Sequence, residues 1–245
     1  MKTATIHNVS FEMEDELYQW YTRPSQMEVG PGSIWHWKLE MILEMASFQQ
    51  ACRENQFNSF LDVGAHCGIF STVYCSLVSA HKCHSVEPVI GHVERINSIA
   101  KTNGFNMTGH HLAFGAEDRI VRYDNDHMAR WIDELDHAID RETLNEVRQM
   151  PLDDFVAIHG QPDLIKIDTE GYEVPILRGA RETLDTGVTL FMETHIDQSE
   201  SLGHDLSEIV ELLSGYEFRT NDNKPIKDLH KYMLAGQNQH FVARG

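Results

Sequence analysis

Several acidic side chains and glycines stand where short apolar runs of this sequence stop, and residues of these types bind ligands and move protons. They are Asp62-Val63-Gly64-Ala65-His66-Cys67-Gly68 after one run, Glu87 at the end of the next, and Asp168, Glu193 and His195 further along. Carboxylates and imidazoles accept protons, and glycines let a backbone turn tightly beside a ligand. These residues together predict a small-molecule site with acid-base chemistry.

The elements that must position these residues are strands alternating with helices. Apolar residues recur at helical spacing from Trp35 to Cys52, which predicts a helix before the first strand. Strands are predicted at 60–64, 84–87, 110–114, 163–168, 188–193, 216–220 and 240–243, and helices at 68–74, 90–101, 173–184 and 206–213. Within an insertion at 115–150 we place a strand at 119–123 and a helix at 133–147.

This alternation predicts an α/β fold with a parallel sheet that helices cover on both faces. In such sheets ligands bind beyond the carboxyl ends of the strands, where the acids and glycines fall. We expect residues 1–54 to form an N-terminal helical extension or lid, and residues 55–245 to form the catalytic domain that contains the insertion.

Composition restricts the classes of partner. The chain has 245 residues, of which 41% are hydrophobic, and this size suits one substantial core. Its 20 Lys and Arg against 38 Asp and Glu give a net charge of −18, which disfavours nucleic acid and anionic membranes as partners. No leader-like or membrane-spanning apolar stretch occurs, and the four cysteines form no CxxC pair, so we expect a cytoplasmic protein.

The turn at residues 62–68 indicates a nucleoside ligand without a pyrophosphate. It lacks the GxGxxG spacing of dinucleotide sites, which disfavours NAD. Gly64 allows a tight turn, and Gly68 lets the following helix begin close to the ligand. Asp62 is placed to accept a hydrogen bond from an ammonium group. Glu87 is placed to accept hydrogen bonds from both hydroxyls of a ribose. These features favour S-adenosylmethionine.

Two blocks of this sequence resemble the FkbM family of S-adenosylmethionine-dependent methyltransferases. The first is 60–68, where His66 and Cys67 replace the Asn and Ile usual in the family, and the second is 163–173, continuing to Leu177, Gly179 and Ala180. A third stretch, 190–195, is similar to the strand that follows. The likeness covers roughly 59–195, and the changes at His66 and Cys67 put the details of the cofactor contacts in doubt.

The resemblance implies a class I methyltransferase fold of the Rossmann-like type. Its doubly wound, mostly parallel sheet has seven strands in the order 3-2-1-4-5-7-6, with one antiparallel strand near the edge. It also implies methylation of an oxygen, often on a sugar or another hydroxyl compound. The predicted cofactor contacts are Asp62, Gly64, Ala65, His66, Gly68, Glu87, Ala113 and Asp168.

Methyl transfer to a hydroxyl needs an aligned acceptor and a way to remove its proton. The predicted catalytic residues are Asp168, Glu170, Glu193 and His195. In one mechanism His195 takes the proton while Asp168 or Glu193 orients it, which suits an imidazole near neutral pH. We favour this metal-free form slightly. Glu170 is either structural beside Lys166 or catalytic near the acceptor.

In the other mechanism Asp168, Glu193 and His195 bind Mg²⁺ or Mn²⁺, which would lower the pKa of the acceptor hydroxyl. For Glu173 a favourable charge in the first turn of a helix explains the residue better than catalysis does.

Two other functions remain open at this stage. One is a binding module without catalysis, which would not need the three ionisable groups of Asp168, Glu193 and His195 near the methyl group of the cofactor. An NAD-dependent oxidoreductase would need the missing glycine pattern. The sequence leaves the identity of the small-molecule or sugar acceptor and the oligomeric state unknown.

Overall fold

The computed structural model describes residues 2–6, 9–13, 34–55, 57–78, 81–124, 130–131, 145–236 and 238–245. The strands are β1 Lys2–Ile6, β2 Val9–Met13, β3 Ser59–Val63, β4 Lys82–Glu87, β5 Met107–His111, β6 Ala113–Phe114, β7 Arg119–Asp124, β8 Arg130–Trp131, β9 Asn145–Met150, β10 Leu164–Ile167, β11 Thr189–His195, β12 Glu217–Thr220 and β13 Asn238–Arg244. The helices are α1 Ile34–Glu54, α2 Ile69–Leu77, α3 Ile90–Asn103, α4 Leu152–His159, α5 Glu173–Arg178, α6 Arg181–Leu184, α7 Ile196–Ser201, α8 Ser207–Leu212 and α9 Leu229–Met233.

A seven-stranded sheet organises the chain in the order β5-β4-β3-β10-β11-β13-β12. Neighbouring strands pair in parallel except β13, which runs antiparallel to both β11 and β12. Numbered along the chain, this is the order 3-2-1-4-5-7-6. The predicted α/β class, strand order and single antiparallel strand near the edge are therefore confirmed.

Strand alternation divides the core between the two faces of the sheet. Ile165 belongs to the apolar cluster on one face, and its neighbour Leu164 belongs to the cluster on the other. Phe48 of α1 is fully buried in the second cluster, where its ring centroid lies 5.1–5.6 Å from those of Phe60, Phe70 and Phe191. The C-terminal half of α1 therefore packs on the sheet.

The predicted third strand at 110–114 is wrong in its bounds. The sheet strand is Met107–His111, and the chain then leaves the sheet, so that Ala113 and Phe114 pair with Gln149 and Met150 of β9 instead. These strands belong to a four-stranded sheet in the order β6-β9-β7-β8. This sheet contains the strand predicted at 119–123.

The helices predicted at 133–147 and 173–184 also differ from the structure. Residues 145–147 lie in β9, while 132–144 lie outside the described residues. The second helix is divided into α5 and α6 at Gly179, where an added Cβ would lie 2.1 Å from the carbonyl oxygen of Gly115. A close approach of two backbones therefore interrupts it.

None of the helices in the described ranges is long and apolar enough to cross a lipid bilayer.

Candidate active site

The turn between β3 and α2 brings the backbone against the end of β10. Gly64, His66 and Gly68 have φ angles of 76°, 48° and 77°, in the left-handed region. A Cβ on Gly64 would lie 1.8 Å from the carbonyl oxygen of Asp168, so only glycine fits there. The turn therefore places the segment that is predicted to bind the cofactor beside Asp168, a predicted catalytic residue.

Glu87, at the end of β4, ties this turn to the start of α3. Its Oε2 accepts the His66 N–H at 2.9 Å, and its Oε1 accepts the Val89 N–H at 3.0 Å. His92 Nδ1 lies 3.3 Å from the same Oε1. Oε2 accepts one N–H and has a further lone pair, so the predicted contact with a ribose is chemically open to Glu87.

His66 stacks edge-on against His92, with ring centroids 4.2 Å apart. Burial, and then the neighbouring His92, lower the pKa of His66 to about 4. His66 is therefore neutral near pH 7 and places no positive charge beside a cationic sulfonium nucleoside.

Asp62 is buried, and its Oδ2 accepts the backbone N–H of Ser71 at 3.2 Å and the Ser71 hydroxyl at 2.7 Å. Burial raises the pKa of Asp62 to about 6, with Lys166 opposing the shift. These contacts hold the first turn of α2. That Asp62 also binds an ammonium group stays a prediction.

Ala65 and Ala113 are both buried. Ala65 belongs to the cluster of α1, α2 and α3, and Ala113 to a small cluster with Val121, Tyr123 and Val147. Their predicted contacts with the cofactor stay predictions.

The four predicted catalytic side chains converge where β10 and β11 end. Nε2 of His195 lies 3.4 Å from Glu193 Oε1, 3.6 Å from Glu170 Oε2 and 3.8 Å from Asp168 Oδ1. His195 is 2% exposed, whereas the three carboxylates keep 13–28% of their side chains accessible. The reachable groups in this set are therefore carboxylates, and the imidazole lies behind them.

Glu173 holds His195 from the opposite side of the ring. Its Oε1 lies 3.0 Å from His195 Nδ1 and also accepts the N–H of Gly171 at 3.1 Å. Sequence reasoning placed Glu173 correctly in the first turn of a helix but missed this partner. The available signal was an acid beside the apolar run Val174-Pro175-Ile176-Leu177, which predicts a buried helix face.

His195 is protonated in this setting. Burial alone would lower its pKa, but Glu173, Glu193, Asp168 and Glu170 together raise the pKa of His195 to about 12. An imidazolium has no free lone pair and cannot accept a proton. A protonated His195 would have to lose its proton before it could act as the base of the first predicted mechanism, and its catalytic role stays a prediction.

Lys166, in β10, supplies a second buried cation. Its Nζ donates to Asp168 Oδ2 at 2.7 Å and lies 4.4 Å from the centroid of the Phe70 ring. Burial favours the neutral acid, but Lys166 and then His195 outweigh it and lower the pKa of Asp168. Asp168 is therefore ionised and is a weak base.

Glu170 has the properties of a general base. Burial raises the pKa of Glu170 to about 7, with His195 opposing the shift and the nearby carboxylates adding to it. Its backbone adopts a left-handed φ of 52°, and Gln198 Nε2 donates to its Oε2 at 3.3 Å. A carboxylate that titrates near neutral pH is suited to take a proton from a hydroxyl group.

The same side chains have donor atoms close enough for one divalent cation. One donor atom each from Asp168, Glu193 and His195 lies within 4.8 Å of the others. Glu173 on Nδ1 would orient His195 as carboxylates orient metal-bound imidazoles. This chemistry would require neutral His195.

Comparisons with known proteins agree with this architecture. The family model described as methyltransferase FkbM domain matches residues 62–220. No curated protein sequence matches the chain.

Among solved structures, the chain is similar to a protein from Staphylococcus aureus assigned as a caffeoyl-CoA O-methyltransferase. The two are 10% identical, the alignment covers 94% of this chain and 90% of that one, and the TM-score is 0.51. An O-methyltransferase from Bacillus cereus in complex with SAH is 9% identical, with coverages of 94% and 88% and a TM-score of 0.48. A precorrin-6y C5,15-methyltransferase from Geobacter metallireducens is 12% identical, with coverages of 82% and 86% and a TM-score of 0.47.

Structural likeness at such identities concerns the fold alone, whereas the family model matches the sequence of both blocks that carry the site. On that match, the chain belongs to the FkbM family of S-adenosylmethionine-dependent methyltransferases.

Proposed function

We propose that this protein methylates a hydroxyl oxygen of a sugar or another small molecule, with Glu170 as the proton acceptor. The observation that carries the proposal is the position of Glu170, which is partly accessible and has a pKa of about 7 beside three further site residues. A base of this kind is needed for a hydroxyl acceptor, because a neutral hydroxyl is a poor nucleophile.

The residues at the carboxyl edge of the sheet fit S-adenosylmethionine. The turn at Gly64 leaves no room for a side chain, and Glu87 offers a carboxylate at the adjacent strand end. The carboxylates of Asp168, Glu170 and Glu193 suit a cationic sulfonium. When bound, this cofactor supplies an electrophilic methyl carbon.

The chain's own groups would divide the remaining work. Glu87 and the turn at 64–68 would hold the nucleoside, and Asp168 with Glu193 would orient the acceptor hydroxyl. As the acceptor oxygen bonds to the methyl carbon and the carbon–sulfur bond breaks, the hydroxyl proton would pass to Glu170. His195 would stay protonated throughout and keep the surrounding carboxylates in place.

A divalent cation held by Asp168, Glu193 and His195 is the second candidate mechanism. The distances from His195 Nε2 to the three carboxylates, 3.4–3.8 Å, favour it, since they exceed ordinary hydrogen-bond lengths. The cation would then replace Glu170 as the means of activating the hydroxyl.

A thermal-shift and methyl-transfer experiment tests the proposal. S-adenosylmethionine and its demethylated product should each raise Tm, because a ligand at about 100 times its Kd adds roughly 2.7 kcal/mol. Methyl-labelled S-adenosylmethionine with a panel of free sugars and small alcohols should then give an O-methyl product, identified by NMR. Stabilisation by NAD alone would overturn the family-based activity, and transfer only to nitrogen or carbon would overturn the O-methyl proposal.

A further inference from the structure

A buried carboxylate from helix α1 joins the acidic site, although α1 precedes all the strands that carry the site. Glu44 is 3% exposed. A carboxylate this deep in the protein is costly unless cations surround it. Its Oε1 lies 3.5 Å from His240 Nδ1 and 3.8 Å from Lys166 Nζ, so an imidazole ring and an ammonium group face this one carboxylate.

Each of these two basic side chains also faces a carboxylate of the site. Lys166 donates to Asp168 at 2.7 Å, and His240 Nε2 lies 3.5 Å from Glu193 Oε1. Glu44 is thus linked through Lys166 to Asp168 and through His240 to Glu193. One oxygen each of Glu44 and Glu193 and one ring nitrogen of His240 lie within 4.8 Å of one another.

The links through Glu44 are electrostatic. Its Oε1 and the Nδ1 of His240 are buried and make no hydrogen bond within the described ranges of the chain. Attraction over 3.5–3.8 Å in a poorly solvated region still restrains the positions of the charged groups. Without Glu44, Lys166 and His240 would be attracted only toward the site carboxylates.

Asn238 adds a fixed contact on the Glu193 side of this network. Its Nδ2 donates to Glu193 Oε1 at 3.1 Å, on the same strand as His240. Lys166 and His240 therefore lie beside Glu44, while His240 and Asn238 lie beside Glu193.

We propose that Glu44 is a positioning residue for methyl transfer, which holds Lys166 and His240 and thereby fixes the carboxylates of Asp168 and Glu193. This inference rests on the proposed function. It makes helix α1, and not only the strand ends, part of the catalytic architecture.

Nitrogen NMR of the histidine rings tests the coupling without any turnover. The full-length protein, labelled with ¹⁵N-histidine and saturated with S-adenosylhomocysteine, is compared with Glu44→Gln. The ring signals of His240 should move, and those of His195 should move with them through Glu193. The signals of His84 and His110, which bond to each other away from this network, should stay in place. Unmoved signals of His195 would overturn the proposal.

Kinetics supply the second readout. Glu44→Gln should lower kcat about 10- to 100-fold, as loss of a supporting residue does, while the Kd of S-adenosylmethionine stays unchanged. Glu44→Asp should recover part of the loss. Glu54→Gln, the same change at an exposed position of the same helix, should leave both constants at the wild-type values.

Failure of the proposed function and failure of the positioning role of Glu44 give different results. Absence of methyl transfer by the wild type would refute the proposed function, and the spectra would still decide the coupling. A Glu44→Gln variant with wild-type kcat would refute the positioning role. So would a variant in which kcat, the affinity for S-adenosylmethionine and Tm all decline without recovery by aspartate.

Discussion

His195 Nδ1 lies 3.0 Å from Glu173 Oε1, and both side chains are almost completely buried. The pair joins the last residue of β11 to the first turn of α5, with the ring's other nitrogen toward the reachable carboxylates. A buried cation in this position neutralises part of the negative charge of the surrounding carboxylates. It also determines which residues can act as a base.

Replacing His195 by glutamine should destabilise the protein. The change leaves buried Glu173 without its charged partner, and such losses cost about 3–5 kcal/mol. Urea denaturation at pH 7 measures the difference from the wild type. His230→Gln, at an exposed position of α9, is the matched control and should change stability little.

The pH dependence of this difference has a defined sign. The pKa of His195 rises from 6.5 when unfolded to about 12 when folded, so its stabilisation is complete below pH 6.5 and declines as the pH rises toward 12. The difference in the free energy of unfolding between the wild type and His195→Gln should therefore become smaller in alkaline buffer. A gap that widens would contradict the charge assigned to His195.

Glu170→Gln should lower kcat by about 10²- to 10⁴-fold, because an amide cannot accept the proton. Binding of S-adenosylmethionine, measured by calorimetry, should persist. Glu182→Gln, at an exposed position of α6, should keep wild-type activity. Near-normal turnover by Glu170→Gln would remove Glu170 from the mechanism.

The activity of the wild type should rise with pH through about 7, as Glu170 loses its proton. The groups that face Glu170 are His195 on β11, whose charge opposes the rise in pKa, and Asp168, Glu193 and Glu173, whose charges support it. A rate that falls as the pH rises from 6 to 8 would exclude a carboxylate base here.

Gly64→Ala should destabilise the turn and weaken binding of S-adenosylmethionine. The new Cβ would meet a backbone oxygen at 1.8 Å in a left-handed conformation, which costs at least about 1–3 kcal/mol. Gly91→Ala in α3 is the matched control, since no atom lies within 4 Å of its added Cβ. Helix propensity predicts a gain of up to about 1 kcal/mol there. Equal melting temperatures for the two variants would contradict this account of the turn.

Exhaustive chelation separates the two mechanisms. If Glu170 is the base, methyl transfer should survive treatment with EDTA and dialysis, measured against an untreated sample. Strict dependence on added Mg²⁺ or Mn²⁺ would instead assign Asp168, Glu193 and His195 to a metal ion.

The sequence predicts the sheet well because its strands are short apolar runs that end in turn residues. It also brings Asp168, Glu193 and His195 to one edge, since parallel strands end on the same side. It cannot predict the interruption at Gly179, which depends on the distant carbonyl of Gly115. The sequence also cannot predict the contacts of Glu44, because its partners come from two strands far along the chain.

The protonation of His195 was beyond sequence reasoning for a related reason. An isolated imidazole titrates near neutral pH, and only the folded chain brings four carboxylates around it. The proposal of Glu170 as the base has the same origin, because burial raises the pKa of this carboxyl group and the sequence does not show that burial.

A crystal structure with S-adenosylhomocysteine tests the central claim most directly. The account predicts the ribose hydroxyls within hydrogen-bond distance of Glu87, the nucleoside against the turn at 64–68, and the sulfur facing Glu170 and Asp168. A nucleoside bound at the amino ends of the strands, or with its sulfur directed away from these carboxylates, would contradict it.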